Sequence, residues 1–174
     1  MVNLEKVAAA AIAYDAGDAR RVQHLMKVYA FCRLIGRSEG LDAHQQNVLE
    51  AAALLHDIGI HQAERRHGSP AGIWQEKEGP AVAAPMLRQA GADEQELARV
   101  CWLIAHHHTY GAGEDTDLRI LFEADFLVNA HEQNLPEQTC RAACERIFRT
   151  ETGRRFLRDM FLEKPYQPAA GDEK

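Results

Sequence analysis

Apolar residues recur along most of this chain at steps of three and four positions, which is the period of an amphipathic helix. No segment alternates apolar and polar residues in the way that a half-buried strand requires. The clearest apolar stripe runs from Asp18 to about Arg37 and consists of Val22, Leu25, Met26, Val28, Tyr29, Cys32 and Ile35. The pattern therefore predicts an all-α protein.

Capping signals divide this pattern into separate helices. A first helix, LEKVAAAAIAYDA, is predicted to begin after Asn3. Asp42 followed by Gln45, and Asp93 followed by Glu96, each match the capping-box spacing that opens a helix. The later segment LRILFEADFLVNAHEQNL is predicted to form one long helix, with two shorter helices after it.

Two segments are predicted to lack long helices. Residues 61–79 are rich in charge, Gly and Pro, so we expect a loop with short helical turns there. Pro80 is then expected at the first position of the next helix, where its missing N–H is not needed. A second loop, rich in Gly and acidic residues, is expected from Tyr110 to Thr116.

Length and composition favour one globular domain. The chain has 174 residues, of which 46% are hydrophobic and 26% are charged, and a chain of this length can bury a core without disulfides. We expect a single domain over residues 1–164 and a polar tail over residues 165–174. The four cysteines form no C-x-x-C pair, so a zinc-ribbon site is not indicated.

Charge and hydropathy limit the expected partners. A formal net charge of −6 argues against an extended nucleic-acid surface, which needs clustered Lys and Arg. No apolar run reaches the roughly 18 residues of a membrane span, and the N-terminal segment has no basic region or cleavage site typical of a secretory signal. We therefore expect a cytoplasmic protein with a small-molecule partner, and the sequence leaves its oligomeric state open.

The candidate chemistry lies where His and Asp interrupt apolar segments. The stretch AAALLHDIGIH places His56 and Asp57 at the end of a helix. His24 lies beside the apolar stripe of the second helix, and Asp125 lies within RILFEADFLVN, where an unpaired carboxylate would be costly to bury. Taken singly, His24 could be a core-edge residue and Asp125 a solvated one. Together they fit a metal site inside a helical bundle, whose N and O ligands suit Mn, Fe, Co, Ni or Mg.

A cluster of three histidines adds to this set. The segment IAHHHTYG places His106, His107 and His108 at the end of another apolar helix. Three consecutive imidazoles are poor core residues, so we expect them to face a cavity shared with the other helices.

The order His24, His56–Asp57, Asp125, in the contexts RRVQHLMKVYAF, AALLHDIGI and ILFEADFLVN, resembles the HD-domain superfamily of metal-dependent phosphohydrolases. The resemblance covers about residues 20–135. It implies an all-α bundle whose H…HD…D residues bind a divalent metal in the core. It also implies hydrolysis of phosphomonoesters or phosphodiesters, commonly of nucleotides, by metal-activated water.

Some members of this superfamily bind a second metal through two further histidines, so the resemblance implies one or two ions per chain, with Asp57 as the bridge. One of these positions falls within His106–His108, where His107 and then His106 are favoured. The other falls on Glu78 in KEGP, a departure that keeps an oxygen ligand. Alternatively, Glu78 is only an acidic residue near the N-terminus of the next helix.

The expected reaction needs a proton donor and a cation for the phosphate. A histidine that does not bind metal, His107 or His108, could protonate the leaving oxygen. The candidate cations, which a solvated basic loop would explain equally well, are Arg65, Arg66 and Lys77.

Two alternatives remain open at this point. A few proteins of this type, similar to myo-inositol oxygenase, use a di-iron centre, but they keep histidine where this chain has Glu78. The other alternative is a non-catalytic helical module that binds a metal or ligand, for which a damaged site would be expected. All four signature residues are present, so the sequence favours a hydrolase.

Overall fold

The computed structural model describes residues 1–163, which form nine α-helices and no strand. In chain order the helices are α1 (Leu4–Tyr14), α2 (Ala19–Ser38), α3 (Ala43–Leu55), α4 (Ile60–His67), α5 (Gly72–Gln89), α6 (Glu94–Ile104), α7 (Thr116–Glu132), α8 (Glu137–Arg146) and α9 (Glu151–Phe161). The all-α, single-domain prediction is confirmed. The predicted tail, residues 165–174, lies outside the described residues.

The predicted caps open the helices to which they were assigned. The side chain of Asn3 accepts a backbone hydrogen bond at the start of α1. Asp42 with Gln45, and Asp93 with Glu96, form reciprocal capping boxes at the starts of α3 and α6. These contacts satisfy N–H groups that have no partner inside the helix.

Three helices form the centre of the domain, because α2, α3 and α7 pack against one another. The last turns of α3 are buried on all sides, since each residue from Ala51 to Leu55 is buried. Most of α7 is buried as well, including the carboxylates of Glu123 and Asp125. A helix that is enclosed on all sides turns even its polar residues toward the protein interior. None of the helices within residues 1–163 is long and apolar enough to cross a lipid bilayer.

The segment 61–79 is more regular than its composition predicts. It contains most of α4 and the first turns of α5, so the expected loop is wrong and Pro80 lies inside α5 rather than at its first position. An internal proline removes one helical hydrogen bond. Packing supports the helix instead: a Cβ placed on Gly59 would lie only 2.7 Å from the backbone nitrogen of Gly79. This close approach seats α5 against the turn that follows Asp57.

Candidate metal centre

The four residues predicted as metal ligands meet between α2, α3 and α7. The Nε2 atom of His24 lies 3.2 Å from Nε2 of His56 and 3.2 Å from Oδ1 of Asp125. Oδ2 of Asp57 lies 3.6 Å from each of the two Nε2 atoms, and Nε2 of His56 lies 3.6 Å from Asp125. Two imidazoles and two carboxylates therefore converge on one point. We call these residues the first ligand group.

Each imidazole of this group is oriented through its other ring nitrogen. Nδ1 of His56 donates to the backbone oxygen of Ala53 at 2.8 Å, and Nδ1 of His24 donates to Glu132 at 3.0 Å. Both Nε2 atoms then carry lone pairs, which face each other. Two lone pairs at this separation repel unless a cation or proton lies between them, so the donor set fits a divalent metal ion.

The carboxylates around this group are also supported by neighbouring side chains. Asn129, one turn after Asp125 on α7, donates to Oδ1 of Asp125 at 2.8 Å. Lys27 donates to Glu132 at 3.0 Å, so Glu132 connects Lys27 to His24. Such outer partners fix the orientation of metal ligands and contribute to affinity.

The surroundings of the first ligand group favour positive charge. Burial opposes protonation of His56, but the carboxylates of Asp57 and Asp125 outweigh burial and raise its pKa to about 9. Burial also disfavours the charged forms of Asp57 and Asp125, yet the adjacent histidines hold the pKa of each carboxyl well below its ordinary value. The field that retains a proton on His56 also attracts a divalent cation.

A second ligand group shares Asp57. Ligand atoms of Asp57, His107 and His108 all lie within 4.8 Å of one another, and Nε2 of His107 is 3.3 Å from Oδ1 of Asp57. Nδ1 of His107 donates to the backbone oxygen of Ile104 at 2.7 Å, which leaves its Nε2 free to bind. Because Oδ2 of Asp57 faces the first ligand group, this carboxylate lies between the two groups.

The three consecutive histidines lie in the turn after α6, because that helix ends at Ile104. His106 faces away from the site: its Nδ1 donates to the backbone oxygen of Trp102, and its ring stacks on that indole. His108 joins the second group in its place. Burial lowers the pKa of His108 to about 4, so this imidazole is neutral near pH 7, which is the form that binds a metal.

The structure does not bring Glu78 into either ligand group, which corrects the role suggested by its sequence position. Its carboxylate accepts hydrogen bonds from Arg66 at 2.7 Å and from His67 at 3.0 Å. These contacts, with His67 first, lower the pKa of Glu78. Glu78 therefore connects α4 to α5 through ion pairs.

The predicted phosphate-binding cations do not gather at the ligand groups either. Arg66 is engaged by Glu78, and Arg65 donates to Gln62 at the surface. Lys77 lies over the ring of Trp74, with 5.3 Å between its Nζ and the ring centroid.

A cation that the sequence analysis missed lies closer to the ligands. Arg21 lines one cavity together with His24 and Asp57. It precedes His24 by three positions on α2, so the two side chains lie on the same face of that helix. This three-residue spacing could have identified Arg21 from the sequence as a cation near His24.

The family of the protein follows from sequence similarity over this same region. The HD domain family model matches residues 21–145, a range that contains both ligand groups. The chain therefore belongs to the HD domain family.

A solved structure shares the fold. It is the crystal structure of a predicted HD superfamily hydrolase from an uncultured Thermotogales bacterium, which is similar to this chain with a TM-score of 0.66 and 22% sequence identity. The match covers 91% of this chain and 84% of that chain. No curated protein sequence matches the chain.

Proposed function

We propose that this protein is a metal-dependent hydrolase of phosphate esters. The observation that carries the proposal is the position of Asp57, whose two oxygens face separate sets of imidazole nitrogens. A carboxylate shared in this way suits two divalent ions held a few ångströms apart, which is the arrangement of many enzymes that cleave phosphate esters. Membership of the HD domain family, and the description of its structural neighbour as a hydrolase, support the same activity.

Each ligand group would hold one ion in this proposal. The first ion would be held by His24, His56, Asp57 and Asp125, and the second by Asp57, His107 and His108. All the donors are N or O atoms, so Mn, Fe, Co, Ni or Mg fits better than a structural zinc ion. When bound, such ions polarise a phosphoryl oxygen and lower the pKa of coordinated water.

The burial of the ligands indicates the side from which a substrate approaches. The side chain of His56 is fully buried and that of Asp125 is 10% exposed, whereas that of Asp57 is 26% exposed. A phosphate ester therefore reaches the centre beside the shared carboxylate. In this proposal His107 and His108 act as ligands rather than as proton donors, because a ring nitrogen of each lies within 4.8 Å of a carboxylate oxygen of Asp57.

The expected substrates are small phosphomonoesters or phosphodiesters, with nucleotides as the first class to test. The test is to purify the protein without oxygen or chelator and to count metal ions per chain. Hydrolysis of mononucleotides, cyclic nucleotides and nitrophenyl phosphates is then measured with Mn²⁺, Co²⁺, Ni²⁺ and Mg²⁺. The proposal expects hydrolysis that disappears in Asp57→Asn. If no ester is cleaved with any of these ions, the proposal is wrong.

A di-iron oxygenase is a second candidate, and His108 is the observation that favours it. The sequence argued against this activity because Glu78 replaces a histidine. Here His108 supplies a second imidazole beside Asp57, so the absence of a histidine at position 78 no longer argues strongly against a di-iron site. Two iron ions per chain, oxygen consumption with a polyol such as an inositol, and no ester hydrolysis would favour the oxygenase.

A further inference from the structure

We propose that Arg21 binds the phosphoryl group of the substrate, and that Asp15 and His61 hold its guanidinium in position. This inference rests on the proposed hydrolase function. Neither Arg21 nor its two supporting residues belongs to the ligand groups described above.

Arg21 lies one helical turn from the first ligand group. It precedes His24 by three residues, and His61 follows Asp57 by four. Nη1 of Arg21 contacts Nδ1 of His61 at 2.9 Å, and Nε2 of His24 lies 3.6 Å from Oδ2 of Asp57. The cavity that Arg21 shares with His24 and Asp57 is narrow, about 30 Å³. A phosphoryl group therefore binds at the mouth of this cavity rather than inside it.

A chain of hydrogen bonds from the interior fixes the guanidinium. Asp15 is 6% exposed, and its Oδ1 accepts from Nε2 of His61 at 2.9 Å. Nδ1 of the same ring is then an acceptor, which receives a hydrogen bond from Arg21. The ring of His61 also packs edge-on against Tyr14, with 5.4 Å between ring centroids. A buried carboxylate thus sets the tautomer of a histidine, and the histidine sets the position of an arginine.

The outer face of the guanidinium has only weakly held partners. Nη2 of Arg21 contacts Glu64 at 2.8 Å, and Nε contacts Asp18 at 3.4 Å. The side chains of Glu64 and Asp18 are 42% and 38% exposed, and ion pairs at such positions contribute little. A phosphate dianion, which accepts two parallel hydrogen bonds from one guanidinium, can replace them.

The negative charge around this cavity also means that an anionic substrate needs a cationic side chain there to bind. Asp15 and Asp57 line the cavity, and the whole chain carries a net charge of −6. An anionic ester is repelled by these carboxylates, even where bound metal ions offset part of their charge. Arg21 is the one arginine or lysine among the described residues that line this cavity.

The test compares Arg21→Ala with Arg20→Ala, which removes the same charge from the exposed neighbouring position. Both variants are loaded with Mn²⁺, and the affinity for inorganic phosphate is measured by calorimetry. Metal content and thermal stability are measured in parallel. Loss of a bidentate, charge-assisted contact is expected to weaken phosphate binding roughly 10- to 100-fold in Arg21→Ala, with metal content unchanged. Arg20→Ala should bind phosphate as the wild type does.

Two further measurements distinguish ligand binding from a structural role. Ethylguanidinium added to Arg21→Ala should restore phosphate binding, whereas ethylammonium should not, because only the former offers a planar fork of donors. His61→Phe should weaken phosphate binding less than Arg21→Ala does, since the guanidinium remains but is no longer held.

The outcomes separate this inference from the proposed function. If the wild type binds phosphate and hydrolyses esters but Arg21→Ala binds phosphate equally well, Arg21 is not the phosphate ligand and the hydrolase proposal stands. If Arg21→Ala loses metal or unfolds, and guanidinium does not rescue it, Arg21 is structural and the inference is overturned. If the metal-loaded wild type neither binds phosphate nor cleaves an ester, both proposals are wrong.

Discussion

The two ligand groups share Asp57 but are built in different ways. The first takes its other ligands from α2, α7 and the end of α3, which are the central helices of the domain. The second takes His107 and His108 from a turn after α6. In the first group both histidines are oriented by hydrogen bonds and Asp125 is supported by Asn129. In the second group His107 donates to a backbone carbonyl, and Nε2 of His108 contacts the side-chain oxygen of Gln75 at 3.2 Å.

This difference predicts unequal metal affinities. A ligand that is fixed by packing and by outer hydrogen bonds loses little conformational freedom when it binds an ion. A ligand on a turn loses more. We therefore expect the first ligand group to retain its ion through purification and the second to require added metal.

The largest effect is expected from Asp57→Asn, because it alters the one carboxylate that both groups use. An amide is a neutral and weaker metal ligand, so both ions should be lost and activity should disappear. Helicity should hardly change, and the same is expected of His56→Ala. Elemental analysis and circular dichroism check this prediction, and full metal occupancy in either variant would contradict the site assignment.

His107→Ala should distinguish the two ligand groups by their metal content. It removes a ligand of the second group alone, so one ion per chain should remain, while activity falls by more than about 100-fold, beyond what loss of an outer-shell partner causes. Glu78→Gln is the matched control, since its carboxylate contacts Arg66 and His67 instead, and it should retain both ions. Equal metal loss in the two variants would mean that the second group is wrongly assigned.

The pH dependence of stability should differ between metal-free and metal-loaded protein. In the metal-free protein, His56 has its pKa raised to about 9 from 6.5. The stabilisation that protonated His56 adds to the free energy of unfolding is therefore complete below pH 6.5. It is lost as the pH rises through 9, and the loss amounts to roughly 3 kcal/mol. Bound metal requires a neutral imidazole, so the loaded protein should not lose stability over this range. Urea unfolding at several pH values tests this, and parallel curves for the two forms would count against it.

A smaller effect is expected from Glu132→Gln, which weakens the support of His24 without removing a ligand. Loss of such an outer partner typically lowers metal affinity by about 10- to 100-fold. Competition with a chelating dye measures this affinity. Glu137→Gln serves as control, because that carboxylate pairs with Arg141 on the exposed face of α8. If both substitutions have the same effect, Glu132 has no special role.

The first ligand group was predictable because His24 and Asp125 lie inside strongly periodic helices, and His56 and Asp57 directly follow the end of another. Helical phase places His24 and Asp125 on faces that turn inward, and the contexts around them resemble one superfamily. Glu132 could have been found in the same way, since it follows Asp125 by seven residues and shares its face of α7.

The rest of the site was less predictable because it depends on tertiary packing. Helical phase ends with α6 at Ile104, so it could not choose between His106 and His108. The regular helix through Pro80 packs closely against the preceding turn where Gly59 approaches Gly79, and composition does not reveal this contact. The partners of Glu78 come from α4, a helix expected to be mostly loop.

The residues of the first group come from separate helices, and this has a consequence for the stability of the protein when metal is scarce. An ion held by His24, Asp57 and Asp125 would cross-link segments that are far apart in sequence, and it would bind the folded chain alone. Free metal at 100 times the dissociation constant would add about 2.7 kcal/mol to the free energy of unfolding. Without metal, the protein would therefore lose stability as well as activity. A less stable chain is cleaved more readily by proteases, so the amount of protein would depend on the concentration of the metal ion.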